Sequence, residues 1–307
     1  MNKQIRNTKI IIILASISFL HGKAIAQQEL PPFIYDMEDY AITLLPEVQR
    51  EGKSDVLAGT TPEMLQQYLP EGTYPSAVNA FLVETPGKTI LVDAGYGTRL
   101  FDNLQAVGKA PEDIDMILLT HMHGDHIGGL LKKDQKSFPN ATLYISQAEH
   151  DYWTNDANRE SQPENRRRGF DNAQKVIHLY KDKLQLFEPG QAGGSVHEIM
   201  PGIQSIAAYG HTPGHTGYLF ESEGRQIFIW GDLVNAMAIQ IPHPEVATVH
   251  DIDPIQASET RKQLLEYLTK NRIRIAGMHI EFPGMGDLLG NATNGYRFIL
   301  LCPCEGR

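Results

Sequence analysis

Six residues constrain this chain more than any others: His121-Met122-His123-Gly124-Asp125-His126, directly after the apolar run Met116–Leu119. A short continuous apolar run reads as a buried strand, so the six residues fall where that strand gives way to a loop. In extended backbone alternate side chains share a side, which points His121 and His123 together. Gly124 lets the chain bend, bringing Asp125 and His126 toward a second position nearby. Imidazoles and a carboxylate at this density are metal-ligand chemistry, suited to zinc and also to iron or manganese. Any fold for this chain must therefore bury a strand and open a polar, ion-holding loop at its end.

Three further clusters stand at predicted strand ends. They are Gly210-His211-Thr212-Pro213-Gly214-His215-Thr216, then Trp230-Gly231-Asp232, then His279 within Gly277-Met278-His279-Ile280-Glu281-Phe282. Asp93 stands in Val92-Asp93-Ala94-Gly95, at the end of another predicted strand. His150, His178, His197, His243 and His250 lack partners at ligand spacing and read as surface or loop residues.

Around these clusters the chain alternates strands and helices. Ala77–Val83 and Thr89–Val92 flank the turn Thr85-Pro86-Gly87. Leu100–Val107 and Ile127–Lys133 read as helices, 147–183 as a charged helical stretch, and Asp253-Pro254 as the cap and first residue of a helix to Asn271. Ala141–Ile145, Ile203–Ala208, Gly217–Glu221, Gln226–Trp230, Arg274–Ala276 and Tyr296–Leu301 read as strands. This predicts a layered α/β domain with mixed sheets over residues 76–307, preceded by an irregular Pro-, Gln- and Glu-rich extension at 27–75 that packs on it. Asn165-Arg166-Arg167-Arg168 reads as a solvated face.

Residues 1–26 differ from the rest. Lys3, Arg6 and Lys9 precede the apolar run Ile10–Leu20, and Ala24-Ile25-Ala26 follows, the pattern of a secretory signal peptide. Removing Lys3, Arg6, Lys9 and Lys23 from 27 basic residues leaves 23 against 37 acids, a formal charge of −14. A chain this acidic is not built to bind nucleic acid. The expectation is a periplasmic or secreted protein with a small-molecule substrate, off the membrane once the signal is cut, with a homodimer left open. The two cysteines, Cys302 and Cys304, have one residue between them, and the expectation is two separate, structurally minor thiols.

The motif series His-x-His-x-Asp-His, Gly-His-Thr-Pro-Gly-His-Thr, Gly-Asp and a late histidine resembles the metallo-β-lactamase-fold hydrolase superfamily, over roughly Val78 to Phe298. The resemblance implies an αββα sandwich of two mixed β-sheets flanked by helices, with two metals at one edge. It implies His121, His123 and His215 around one ion, Asp125, His126 and His279 around the other, and Asp232 between them, with Asp125 and Asp232 the residues closest to the chemistry. His211 is implied only as a hydrogen-bonding neighbour, and Asp93 as a support beneath the metal loop. Two zinc ions would lower the pKa of bound water from ~16 to about 7 and polarise the substrate oxygen. The implied activity is hydrolysis of an ester, lactone or phosphotriester by a metal-bridging hydroxide.

Departures narrow it further. β-Lactamases of the family carry cysteine or serine where Asp232 stands, and many lactonases carry tyrosine where Asn235 stands. Only 28 residues follow His279, too few for the helical domain of the glyoxalase II type. The segments Gly231-Asp232-Leu233, His279 to Gly286 and Gly295 to Phe298 are similar to the methyl parathion hydrolase-like branch. β-Lactam hydrolysis, a non-catalytic metal-binding member and an iron redox member are the alternatives. Phe282, Met285 and Trp153 are candidates for an apolar substrate rim.

Overall fold

The computed structural model describes residues 30–133 and 135–306. The signal segment read at 1–26 lies outside the described residues. Two seven-stranded sheets face one another. The first runs, in spatial order, Phe33–Met37, Tyr40–Lys53, Thr73–Glu84, Thr89–Val92, Met116–Leu118, Thr142–Ser146 and Leu184–Phe187. Its first four strands are antiparallel neighbours, and the last four are parallel. The second runs His197–Met200, Ile203–Ala207, Thr216–Ser222, Arg225–Ile229, Arg274–Ala276, Met285–Asn291 and Gly295–Leu300, with one parallel pairing between Arg225–Ile229 and Arg274–Ala276.

Side-chain alternation sorts the core into layers. Phe81, Val83, Ile90, Val92, Met116 and Leu118 meet Phe220, Ile227 and Ile229 between the sheets. Their neighbours Ala80, Leu82, Leu91 and Ile117 point outward, under the helices Leu100–Ala106 and Glu164–Tyr180. Both faces are covered, so these strands read as unbroken apolar runs. The outer face of the second sheet is covered by Leu264, Leu265 and Leu268 of the helix Pro254–Asn271. Each buried leucine contributes about 1.5–3 kcal/mol. The Asp253 cap, whose Oδ1 accepts from the Ile255 and Gln256 amides, adds about 1 kcal/mol, so burial rather than capping holds this helix. The αββα sandwich is present as expected.

Local expectations fare unevenly. The 27–75 stretch is not irregular: Tyr40–Lys53 is a 14-residue strand inside the first sheet, paired with Thr73–Glu84 along its length. A bulge between Pro46 and Val48 breaks its register and its sequence pattern. No helix runs from Ile127 to Lys133. Gly124–Ile127 forms one helical turn and Gly128–Leu130 a 3₁₀ turn. A Cβ on Gly128 or Gly129 would strike the Tyr96 or Ala94 backbone, so this stretch is fixed by close packing on the 94–97 turn. Cys302 and Cys304 are joined in a disulfide rather than separate, because the 3₁₀ turn Pro303–Glu305 sets their Cα atoms 5.1 Å apart. The charged 147–183 stretch is helical, and Arg166 and Arg168 are exposed on it. No helix among the described residues is long and apolar enough to cross a membrane.

Candidate metal centre

Loops after five strand ends, Val92, Leu118, Ala207, Ile229 and Ala276, meet at one edge of the sandwich. Asp93 anchors the first. It is fully buried and sits in the left-handed region at φ 57°, an uncommon conformation for a side chain and one that aims its carboxylate under the loop. Oδ1 accepts from the Thr120 amide (2.8 Å), Oδ2 accepts from the Thr120 hydroxyl (2.7 Å) and lies 2.6 Å from His126 Nδ1. This leaves His126 Nε2 facing the cluster. His121 and His123 share a side as the extended backbone predicts, with His121 Nε2 3.0 Å from His123 Nδ1.

The histidine motif at 210–216 resolves differently from expectation. His211, not His215, faces the pair: His211 Nε2 is 3.0 Å from His123 Nδ1 and 3.2 Å from Asp232 Oδ2. Its other nitrogen, Nδ1, is 2.7 Å from the Asp251 carboxylate. His215 lies behind the cluster with both nitrogens used by backbone. Its Nδ1 is 2.7 Å from the Ala208 carbonyl, and its Nε2 accepts from the Asp232 amide at 2.9 Å. A ring so held has no lone pair left for a cation.

Asp232 stands at the centre. Oδ2 is 2.9 Å from His279 Nε2 and 4.0 Å from His121 Nε2, while Oδ1 is 3.1 Å from His126 Nε2. His279 is oriented by the Ala77 carbonyl, 2.7 Å from Nδ1, and Asn235 Nδ2 donates to Asp232 Oδ2 at 3.0 Å. Three groups of ligand-type atoms, each within 4.8 Å, result: His121, His123, His211; His121, His126, Asp232; and Asp125, His126, His279. Six of the seven residues named from the sequence converge, and His211 takes the place given to His215.

Charge in the cluster follows from burial and neighbours. Burial opposes the Asp232 charge, but the His279, His126, His211 and His121 rings hold its carboxyl well below the usual range. Burial and the adjacent His211 lower His123 to about 3, leaving it neutral as a ligand must be. His211 is pulled down by burial, yet Asp232 and Asp251 raise it to about 9, so a cation binding there displaces a proton from its Nε2.

The donor set fits divalent cations. His126 Nε2 and Asp232 Oδ1 are both buried and, although 3.1 Å apart, find no hydrogen-bond partner. Such orphans are costly unless an ion satisfies them. Imidazole nitrogens 3.0 Å apart present lone pairs that a shared cation binds together.

Two buried carboxylates absent from the sequence reading hold these loops. Glu149 accepts from the Met122 amide (2.9 Å), Trp153 Nε1 (2.6 Å), the Thr212 hydroxyl (2.6 Å) and the Gly214 amide (3.0 Å). It thereby ties the two histidine loops to the helix Gln147–Thr154. Asp251 accepts from the Thr248 amide (2.8 Å) as well as facing His211. Neither has a local signature, because their partners lie 27 to 65 residues away except for Trp153 and Thr248.

The cluster opens on a cavity of ≈ 590 Å³. His123, Asp125, His211, Asp232 and His279 form its floor, while Arg50, Tyr74, Tyr96, Asn235 and His250 are among its walls. His250, read as a plain loop residue, is therefore a pocket residue. The rim residues expected from sequence are elsewhere. Met285 and Phe282 belong to the core between the sheets. Trp153 is buried under the His123 ring, 5.7 Å between centroids, where Glu149 takes its N–H.

Known proteins resemble this chain in sequence and fold. Over 151 residues the chain is 32% identical to the uncharacterized protein YobT of Bacillus subtilis (strain 168), covering 49% of this chain and 60% of YobT. Over 125 residues it is 29% identical to an N-acyl homoserine lactonase of a Bacillus species, 41% of this chain and 40% of that one. The matched stretch thus spans 60% or less of these curated relatives. Two solved structures align over nearly their whole length. The hydrolase AbOPH of the beta lactamase superfamily has a TM-score of 0.79 at 29% identity, covering 90% of this chain and 99% of that one. AidC, a dizinc quorum-quenching lactonase, has a TM-score of 0.79 at 26% identity, covering 89% and 98%. The family model for the metallo-beta-lactamase superfamily matches residues 73–279, a span that opens in the strand before Ala77 and closes on His279. With that span enclosing every residue of the cluster, the chain belongs to the metallo-beta-lactamase superfamily.

Proposed function

We propose that this protein is an exported, two-metal hydrolase that cleaves an ester, lactone or phosphotriester of a small molecule. The observation that carries the reading is the position of Asp232, one carboxylate within reach of both histidine groups at the floor of an open cavity. His121, His123 and His211 would hold one divalent cation, Asp125, His126 and His279 the second, and Asp232 would serve both. Zinc suits these donors, with iron or manganese compatible. When bound, such ions bring the pKa of a water to about 7 and polarise the scissile carbonyl or phosphoryl oxygen.

The chain's own residues supply the rest. Asp93, Asp251 and the Ala77 carbonyl fix which nitrogen of His126, His211 and His279 faces the floor. Asn235 steadies Asp232 from the pocket side. Asp125 keeps 20% side-chain exposure, so it meets incoming substrate while Asp232 stays beneath it. Export rests on the segment 1–26 alone.

Metal analysis of the purified protein, with a panel of an aryl ester, a lactone, a phosphotriester and a β-lactam, tests this. The expected result is about two metal equivalents and turnover of at least one of the first three. Activity in metal-free protein, or undiminished activity in His123→Ala, overturns the reading. Fastest cleavage of the β-lactam overturns the substrate assignment. An N-terminus at residue 27 in protein recovered from outside the cytoplasm is the expected result for export.

A further inference from the structure

One wall of the cavity comes from the end of the strand Tyr40–Lys53 and carries cationic and phenolic donors. Arg50 is exposed there, and its guanidinium donates to the Tyr96 hydroxyl at 3.5 Å. Glu51 and Asp55 border the same cavity, yet among the described residues Arg50 forms no ion pair. Tyr74 lies alongside. Burial pushes its phenol up, Arg50 draws it down and Asp55 pushes it up again, which places Arg50 within electrostatic reach of that ring. Gly52 makes room for the Tyr74 ring, where any Cβ would collide.

The backbone turn that carries Tyr96 is held in place before any substrate arrives. The Glu47 carboxylate, 3% exposed, accepts four amides: Tyr96 (2.6 Å) and Gly97 (3.0 Å) on Oε2, Arg99 (3.0 Å) and Leu100 (2.7 Å) on Oε1. The turn bearing Tyr96 is thus fixed to the strand that bears Arg50. A guanidinium with unused donors, beside a phenol on a fixed turn, is a ready partner for a carboxylate, which it can grip with two parallel hydrogen bonds.

We propose that Arg50, with the Tyr96 hydroxyl, forms a subsite for a carboxylate group carried by the substrate away from its scissile bond. This makes the substrate class an ester or lactone with an anionic end, and it rests on the hydrolase reading given above. Arg50 acts in selection; it takes no part in bond cleavage.

The test compares 4-nitrophenyl esters of glutarate, whose far end is a free carboxylate, and of butyrate, whose far end is methyl. Arg50→Met should raise KM for the glutaryl ester about tenfold with kcat held within about twofold, and leave the butyryl ester unchanged. Arg50→Lys should recover part of the loss, since a point charge replaces the fork. Calorimetric titration of the metal-loaded protein with glutarate and butyrate reads the subsite without turnover. Wild type should bind glutarate at least about tenfold more tightly, and Arg50→Met should abolish that preference. A wild type indifferent to the second carboxylate, a preference that survives in Arg50→Met, or a variant that lowers kcat for both esters alike overturns the proposal. A preference for glutarate that depends on Arg50, in a protein that cleaves no ester, lactone or phosphotriester, upholds the subsite and overturns the hydrolase reading.

Discussion

The Asp251 carboxylate lies 2.7 Å from His211 Nδ1, across 40 residues of chain. That contact fixes the ring so that Nε2 points at His123 and Asp232. Partners of this kind raise the basicity of a ligating imidazole and fix its tautomer. Asp251→Asn should therefore weaken binding of one metal by about 10- to 100-fold while leaving the second in place. Competition with a chromogenic chelator measures it, and two unchanged affinities would refute the role given to Asp251.

His211 and His215 make a sharper pair. His211→Ala should lose about one metal equivalent and most activity. His215→Ala should keep both metals but lose about 2–4 kcal/mol of stability, because it empties a buried site and strands the Ala208 carbonyl and the Asp232 amide. Metal content and urea unfolding of both variants separate the two residues. The reverse pattern would return His215 to the ligand set.

Glu149 binds two loops that otherwise share few covalent or backbone ties. In Glu149→Gln the side-chain amide must turn its own N–H₂ toward Met122 and Trp153 or toward Thr212 and Gly214, donor against donor. A cost of about 3 kcal/mol is expected, the scale of lost hydrogen bonds to a buried charge. Chemical denaturation checks it; a loss below about 0.5 kcal/mol would mean the loops are held by packing instead.

Cation removal should destabilise the whole domain, since buried ligand atoms are left facing one another. Binding at a thousandfold over Kd contributes about 4 kcal/mol. The melting temperature should fall in chelator and recover when zinc or manganese is restored. A melting curve indifferent to chelator would count against the centre.

Much of the molecule was legible in the sequence because its strands are buried on both faces and four of its candidate ligands, His121, His123, Asp125 and His126, lie within six residues. Met116–Leu118 and the following His121 to His126 announce both sandwich and site. The failures have physical causes. Strand Tyr40–Lys53 hid behind Pro46 and Glu47, residues that look like loop until the bulge and the four amides gathered by Glu47 are seen. Met285–Asn291 escaped because Gly286, Asp287 and Gly290 lower its strand character, though Gly286 is needed where the Phe298 ring packs. His211 and His215 sit in matching His-Thr steps, and spacing treats them alike. What separates them is the second nitrogen of each ring, which meets Asp251 in one case and backbone in the other. That information is tertiary.

The long strand from Tyr40 to Lys53 has one more consequence. The superfamily match opens at residue 73, so the candidate metal centre and the Arg50–Val56 wall are encoded in separate stretches of the chain. Substitutions in the earlier stretch would retune what enters the cavity while the candidate ligand set of the later stretch stays as it is. An engineer could graft this strand and leave every histidine alone.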